Sequence, residues 1–144
     1  MEERFETFTA LISKIGRNIK KIKNREMAEY NLKGTHVSCI YYLYTGKSLT
    51  VTELAERCDE DKASISRAVE FLENIGLACA EESEKRYKCP ITLTEKGKEM
   101  GEKVSKRIEI ILGEASVGLT DMEREFFYRI LSSVSESLKK LANE

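Results

Sequence analysis

Residues 49–77 decide the fold, and they read LTVTELAERCDEDKASISRAVEFLENIGL. Thr50 and Glu53 have the spacing of a capping box, in which the two residues satisfy backbone donors reciprocally at the start of a helix. A leucine on either side of this box takes a hydrophobic-staple position. The pattern predicts a short helix from about 51 to 58.

A second helix is predicted over about 62–75. Asp61 is a favourable N-cap residue. Apolar side chains recur on one face of the helix, at Ile65, Ala68, Val69, Leu72 and Ile75. Gly76 is expected to end the helix in a Schellman motif, with Leu77 against Leu72. The two helices and the short turn between them are typical of a helix-turn-helix.

A β-hairpin is predicted directly after the second helix. Two short strands, about 77–81 and 89–93, flank a charged segment at 82–88. Pro90 lacks a backbone N–H, so the second strand is expected to lie at a sheet edge or to contain a bulge. A hairpin in this position would form a wing beside the second helix.

Longer helices flank this region. One is predicted over 3–29 and a shorter one over 35–45, with Gly46 in the left-handed position just past its end. After the hairpin, Thr94 is expected to cap a helix over 95–113, and a second capping box begins a helix over 121–142. The fold class is therefore mainly α with a small β-hairpin wing.

Apolar seams run along the first and last helices at spacings of three and four residues. The first seam consists of Phe5, Phe8, Ile12, Ile15, Ile19 and Ile22; the last consists of Phe127, Ile130, Leu131, Val134, Leu138 and Leu141. Both lie outside the winged lobe at about 35–94 and are too apolar to stay exposed. The helices at about 3–29 and 95–142 are therefore predicted to form a homodimer interface.

Composition narrows the classes of function. The 144 residues suit one domain, and the 24 basic and 25 acidic side chains leave a formal net charge of −1. A DNA-binding role must therefore depend on where the charges lie. Without an apolar run of membrane-spanning length or a signal peptide, we expect a cytoplasmic protein. We see no nucleophile–base pair, phosphate loop or metal motif, so we expect neither an enzyme nor a cofactor.

Four segments, in this order and at this spacing, closely resemble the MarR family of transcriptional regulators. They are 49–55 (LTVTELA), 61–69 (DKASISRAV), 72–77 (LENIGL) and 91–97 (ITLTEKG). The resemblance covers essentially the whole chain. It implies a winged helix-turn-helix homodimer on a pseudo-palindromic operator. It further implies a repressor that leaves DNA when a small, often aromatic or phenolic, ligand binds, or, in a subset of members, when a thiol is oxidised.

The second helix of a helix-turn-helix enters the major groove, so its outward face supplies the candidate DNA contacts. Arg67 can donate to guanine O6 and N7, and Ser66 to a base or a phosphate. Lys62 suits a phosphate. The candidate set is Lys62, Ala63, Ser64, Ser66 and Arg67 on the helix, with Lys85, Arg86 and Lys88 on the wing.

The resemblance implies that a wing arginine enters the minor groove. Arg86 is the best match, but Tyr87 stands where the family usually has that arginine, so the register stays open. Asp59 and Glu60 would repel a phosphate unless they turn away from it. A winged-helix module that binds protein instead of DNA therefore remains an alternative.

Other residues carry weaker signals. Tyr41, Tyr42 and Tyr44 could line a ligand pocket or simply pack in the core. His36 has no partners at metal-ligand spacing and is expected to be a surface or capping residue. The cysteines at 39, 58, 79 and 89 form no zinc pattern and are expected to be free thiols, with redox sensing left open.

Overall fold

Helices dominate the chain, and a small antiparallel sheet lies among them. The computed structural model describes residues 2–81 and 88–144. In chain order the elements are α1 (Glu2–Phe5), a π-helical segment (Glu6–Leu11), α2 (Ile12–Glu26), a 3-10 turn (Ala28–Tyr30), α3 (Gly34–Gly46), β1 (Ser48–Leu49), α4 (Val51–Cys58), α5 (Lys62–Asn74), β2 (Ala78–Ala80), β3 (Ile91–Leu93), α6 (Glu95–Ala115) and α7 (Asp121–Ala142). The predicted fold class is confirmed.

The chain divides into two compact units, Met1–Ser105 and Lys106–Glu144. The first unit contains the helix-turn-helix and the sheet. The second contains the end of α6 and the whole of α7. The single domain over 1–144 that the sequence suggests stays a prediction.

The predicted caps begin the helices of both units. The Thr50 hydroxyl accepts from the Glu53 N–H at 3.2 Å, and the same hydroxyl donates to the Glu53 carboxylate at 3.1 Å. At α7 the box is fully reciprocal: the Glu123 N–H donates to the Thr120 hydroxyl, and the Thr120 N–H donates to the Glu123 carboxylate. These side chains satisfy backbone donors that a helix leaves unpaired at its start.

The N-terminal helix ends earlier than the predicted residue 29. Glu26 is the last residue of α2, and the Met27 carbonyl accepts from the N–H groups of Tyr30 and Leu32. Asn31 then adopts a left-handed conformation, with φ of 58°. This turn buries Met27 and Leu32 in the core. If the helix continued in the direction of its exposed apolar seam, it would not bury them.

The turn after α3 corrects a second prediction. Gly46 is still helical, and Lys47 instead takes the positive φ of 69°. The place where a Gly46 Cβ would lie is 3.3 Å from the Leu49 side chain. Gly46 therefore serves close packing against Leu49. It does not serve a left-handed backbone conformation.

The sheet has a strand that sequence reasoning missed. Its order is β1-β3-β2 with both pairs antiparallel, so β3 is central. The expectation that Pro90 places its strand at an edge or in a bulge is wrong. Pro90 precedes the ladder, which begins at Ile91, and its carbonyl accepts from the Glu81 N–H at 3.1 Å. A proline in that position does not have to donate a backbone hydrogen bond to the neighbouring strand.

The core of the first unit lies between α3, α4, α5 and one face of the sheet. Its largest fully buried side chains include Ile40, Leu43, Leu54, Ile65 and Leu72. Ile91 and Leu93 are buried while Thr92 between them is not, as strand alternation requires. Ile75, predicted to face this core, is the C-cap of α5 and is 36% exposed; the next apolar residue, Leu77, is buried in its place.

Backbone contacts join the end of α5 to the start of α6. Gly76 has φ of 80°, and the Leu77 N–H donates to the Leu72 carbonyl at 2.9 Å, which completes the predicted Schellman motif. The Thr94 hydroxyl donates to the Gly76 carbonyl at 2.6 Å. At Gly97 the Leu77 carbonyl oxygen occupies the place of a side chain. Only glycine fits at 97 without moving one of these elements.

We expect Gly97→Ala to lower the free energy of unfolding by about 3 kcal/mol, at the upper end of overpacking effects, because the obstacle is backbone. Gly113→Ala is the matched control, since a Cβ there meets nothing within 4 Å. It should stabilise the helix by about 0.5–1 kcal/mol. Urea unfolding of both variants measures the difference, and equal stabilities would refute the close contact at Gly97.

The second unit consists of helix and turn. Gly118 takes a φ of 92° in the turn before α7, and the Leu119 N–H donates to the Ser116 carbonyl at 3.1 Å. Most large apolar side chains of this unit are exposed, among them Phe127 at 49% and Ile130 at 57%. Within the described part of the chain, no helix has both the length and the apolar character needed to cross a membrane.

Candidate DNA-binding site

One face of α5 is open to solvent along its first two turns. Lys62, Ala63 and Arg67 are exposed, whereas Ile65, Ala68 and Val69 on the opposite face are buried. The helix period of 3.6 residues separates the two sets. The outward face predicted for this helix is therefore present and is not covered by the rest of the described chain.

Arg67 belongs to a small polar network in the first turn of α5. The Asp61 carboxylate accepts from the Ser64 N–H at 2.7 Å and from the Ser64 hydroxyl at 3.2 Å. The same hydroxyl accepts from the Arg67 guanidinium at 3.2 Å. The network caps the helix and holds Arg67 beside the helix start, on the solvent side. In this position the guanidinium has donors available to a planar, two-acceptor partner.

These contacts lower the pKa of Asp61. The largest cause is the Ser64 N–H, followed by the Ser64 hydroxyl; the Arg67 charge acts in the same direction. Each of them favours the ionised carboxylate. Asp61 is therefore the ionised cap of α5 at neutral pH. Its carboxylate binds the start of the helix instead of facing a nucleic acid.

We expect the stabilisation by Asp61 to depend on pH. Because the pKa is lower in the folded state, the stabilisation is fully present above the ordinary carboxyl pKa of about 3.9 and is lost as pH falls through the folded value. Asp61→Asn keeps an acceptor for Ser64 but removes the charge. Its thermal midpoint should lie below that of the parent chain at pH 7 and converge with it as pH falls below the folded pKa of Asp61. Equal midpoints at pH 7 would show that the charge contributes nothing.

Glu60 is one of the two acidic residues expected to hinder DNA binding, and it turns back toward α3. Its carboxylate accepts from the Thr35 hydroxyl at 3.2 Å, and its N–H donates to the Ala55 carbonyl at 3.1 Å. Asp59 takes the left-handed position that ends α4, with φ of 53°. Glu60 is thus engaged inside its own lobe, as the DNA-binding hypothesis requires.

The remaining candidate residues differ in their placement. Ser66 is half-buried and lines a shallow depression with Val51, Val69, Ala80 and Ile91, so it faces the sheet side of α5. Lys88 is exposed. Lys85 and Arg86 lie outside the described residues, so the register of the wing stays a prediction.

His36 makes two contacts that sequence reasoning did not find. Its Nδ1 accepts from the Lys33 N–H at 2.9 Å, which confirms a capping role, and its ring stacks on Phe71 of α5 with centroids 4.4 Å apart. Burial, then the Lys33 charge, lowers its pKa, so the neutral acceptor form is favoured. No local signal marks a pair 35 positions apart; only the packing of α3 on α5 creates it.

The three tyrosines of α3 do not share one environment. The rings of Tyr41 and Tyr42 meet edge to face with centroids 5.4 Å apart. Tyr44 packs where a Gly101 side chain would stand. Their role in a ligand pocket is untested. Among the described residues, no group of three or more histidine, cysteine or acidic side chains could hold a metal ion.

All four cysteines are free thiols, as expected, but two of them are neighbours. Cys39 of α3 is fully buried. The nearby Cys58, the last residue of α4, raises the pKa of the Cys39 thiol, and Cys39 lowers the pKa of the Cys58 thiol. Cys58 is half-buried. Nothing in a spacing of 19 residues indicates this pair.

Several solved structures similar to this chain are described as MarR family regulators. A MarR family regulator from Silicibacter pomeroyi aligns with a TM-score of 0.83 at 21% identity, over 97% of this chain and 95% of that chain. A putative MarR family regulator from Listeria monocytogenes, complexed with a 26mer DNA, gives 0.80 at 24% over 88% and 85%. The S. aureus MepR–DNA complex gives 0.79 at 18% over 92% and 97%.

No protein-family model matches the sequence, and no curated protein matches it significantly. The structural likeness nevertheless extends over almost the whole of each chain. The chain therefore has the winged-helix fold of MarR family transcriptional regulators, and the resemblance predicted from the four sequence segments is confirmed at the level of the fold.

Proposed function

We propose that this chain is a DNA-binding transcriptional regulator of the MarR type, acting in the cytoplasm as a homodimer. The observation that carries the proposal is the open face of α5, on which Arg67 is exposed beside a capped helix start. Two proteins of the same fold are described in complexes with DNA. In a helix-turn-helix the second helix reads base edges in the major groove.

On this proposal Arg67 reads a guanine and the other residues position the lobe. Arginine binds guanine O6 and N7 in a bidentate manner, and lysine suits a phosphate. Lys62 and Ser64 at the start of α5 would meet the backbone, and Ala63 would let the helix approach closely. Ser66 faces the sheet, so its contact would lie at the edge of the groove. Lys85, Arg86 and Lys88 would contact DNA from the wing.

Affinity on this proposal depends on two half-sites. Residues 61–90 hold five basic and six acidic side chains, so neutralisation of phosphates by one lobe is limited. A homodimer presents two copies of α5 to a pseudo-palindrome and adds the two contributions. The exposed apolar side chains of the N-terminal helix, such as Phe8 at 52% and Ile15 at 47%, and those of α7 need such a partner.

We further propose that the dimer represses transcription and is released by a signal. A ligand that binds better to a dimer with a different spacing of its lobes shifts the population away from the DNA-binding state. A small aromatic or phenolic compound against the tyrosines of α3 would be such a ligand. The affinity difference between the two states limits how far the ligand can lower DNA binding.

Arg67→Ala should weaken specific binding strongly. Each bidentate contact contributes about 1–3 kcal/mol, so losing one per half-site weakens operator binding at least about 30-fold. Operator fragments are first selected from random DNA with the parent protein, and affinities are then measured by fluorescence anisotropy at fixed salt. Arg17→Ala, which removes the same charge from exposed α2, is the control.

Two outcomes would contradict this role. If Arg67→Ala and Arg17→Ala bind the selected DNA equally well, Arg67 does not read a base. If the parent chain dimerises but selects no DNA sequence, the winged lobe is better explained as a protein-interaction module.

Ile15→Glu should dissociate the dimer. A charge placed within a buried apolar interface costs several kcal/mol per copy, whereas on the free helix Ile15 is already 47% exposed. Ser13→Glu adds the same charge on the face of α2 opposite the apolar seam and should leave the dimer intact. Sedimentation velocity measures both. A dimer that survives Ile15→Glu would place the interface elsewhere.

A further inference from the structure

We propose that Asn24, assisted by Lys23, fixes the direction of α2 relative to the winged lobe and thereby sets the half-site spacing that the dimer recognises. The inference rests on the proposed function, in which the apolar seam of α2 meets a second copy of this chain. Both residues belong to the last turn of α2, and their side chains bind the beginning of α3. They are therefore positioning residues that act on operator choice through the lobe.

The packing of α2 inside its own chain is too slight to fix its direction. Within the described part of the chain, no residue of α2 is buried. Met27 and Leu32, in the turn between α2 and α3, are buried. These two side chains hold the turn in place, but they lie outside the helix and leave its direction open. The direction of α2 therefore depends on the contacts of its last turn with α3.

Asn24 makes the shorter of two hydrogen bonds between the helices. Its Oδ1 accepts from the Gly34 N–H at 2.6 Å. Gly34 is the first residue of α3, so this N–H has no acceptor within its own helix. The missing side chain of Gly34 permits the approach, because a Cβ there would lie 3.2 Å from the Asn24 Oδ1. Asn24 thus caps a second helix while it belongs to the first.

Lys23 adds a second hydrogen bond about one turn further along α3. Its Nζ donates to the Ser38 hydroxyl at 3.1 Å. Two bonds from neighbouring residues restrict both the tilt of α2 and its rotation about its own axis, which one bond alone would not do. Asparagine is a poor helix former, so the bond to α3 also gives a physical reason for Asn24 in the last turn of α2.

Asn24 and the apolar seam lie on opposite faces of α2. Asn24 follows Ile15 by nine residues, which is about two and a half turns of an α-helix. The seam can therefore meet the partner subunit while Asn24 holds the lobe of its own chain. On this arrangement α2 is a rigid spacer between the dimer interface and the lobe.

The first turn of α3 continues this connection toward α5. The Thr35 hydroxyl donates to the Glu60 carboxylate at 3.2 Å, just before the α5 cap, and the His36 ring stacks on Phe71 of α5. A tilt between α2 and α3 therefore displaces α5 with Arg67 and not α3 alone. Successive nucleotides of a DNA strand are about 3.4 Å apart along the axis, so a displacement of this size is enough to favour another half-site spacing.

The first experiment measures the separation of the two lobes and needs no DNA. A nitroxide is attached to the exposed Cys79 of β2 in a full chain with Cys58→Ser; the other two thiols, Cys39 and Cys89, are buried. Double electron–electron resonance gives the distance distribution between the two labels of a dimer. We expect a narrow distribution for this chain and a broader or displaced one when Asn24→Ala is added.

Asn24→Asp is the matched control. Its carboxylate keeps an acceptor for the Gly34 N–H, and the start of α3 favours a negative charge, so the narrow distribution should return. Lys23→Met, which keeps the apolar stem and removes the donor to Ser38, should broaden the distribution to a smaller extent. Equal distributions for Asn24→Ala and its parent would overturn the inference. A chain that is monomeric before any change at position 24 would contradict the proposed homodimer and this inference with it.

The second experiment compares the selected operator with one that carries an extra base pair between its half-sites. The parent chain should prefer the selected spacing. Its preference should fall at least about threefold in Asn24→Ala, since one net hydrogen bond changes an equilibrium by about two- to tenfold, and should return in Asn24→Asp. Replacing the guanine read by Arg67 should cost all three chains the same factor, which a general loss of structure would not give.

The outcomes for the two proposals are distinct. A spacing preference that Asn24→Ala leaves unchanged, or a parent chain that binds both spacings equally, would overturn the role of Asn24 while DNA binding stands. If the parent chain selects no DNA, the proposed function fails, and the label distances still decide whether Asn24 positions the lobes.

Discussion

The junction between the end of α5 and the start of α6 is the constraint on which the first unit depends. Gly76 turns the chain with φ of 80°, the Thr94 hydroxyl binds the Gly76 carbonyl, and Gly97 admits the Leu77 carbonyl where a side chain would stand. Backbone can approach backbone this closely only where no Cβ intervenes. Because β2 leaves this junction and β3 returns to it, the same few atoms hold the sheet beside α5.

The open face of α5 results from the way α5 packs in the first unit and not from a basic composition. Its opposite face is buried against α3, α4 and the sheet, so the polar side must point outward. The nearby acids are engaged within the lobe, where Asp61 caps α5 and Glu60 binds Thr35. A chain with a formal net charge of −1 can thus expose Lys62 and Arg67 at one helix start while Asp61 and Glu60 are engaged within the lobe.

Contacts between distant residues give α3 a second role beside packing. His36 stacks on Phe71 of α5, and α3 also packs on α4, where Cys58 raises the pKa of the Cys39 thiol. One helix therefore packs on both helices of the helix-turn-helix and places titratable side chains beside each of them. A change of state in either contact would act directly on the elements that hold Arg67. Such contacts, within a bistable element, are the means by which small local events alter binding at another surface.

The sequence by itself determined the helices, their caps and the winged arrangement, because capping boxes, a Schellman glycine and 3.6-residue periodicity are local interactions that neighbouring residues complete. Thr50, Asp61, Gly76 and Thr120 all act as their positions predict. Only the tertiary structure decided that β3 is central, that Lys47 rather than Gly46 takes a positive φ, and that His36 stacks on Phe71. Each of these depends on which surfaces meet when the core closes, and the free energy of that burial is shared by residues far apart in the chain.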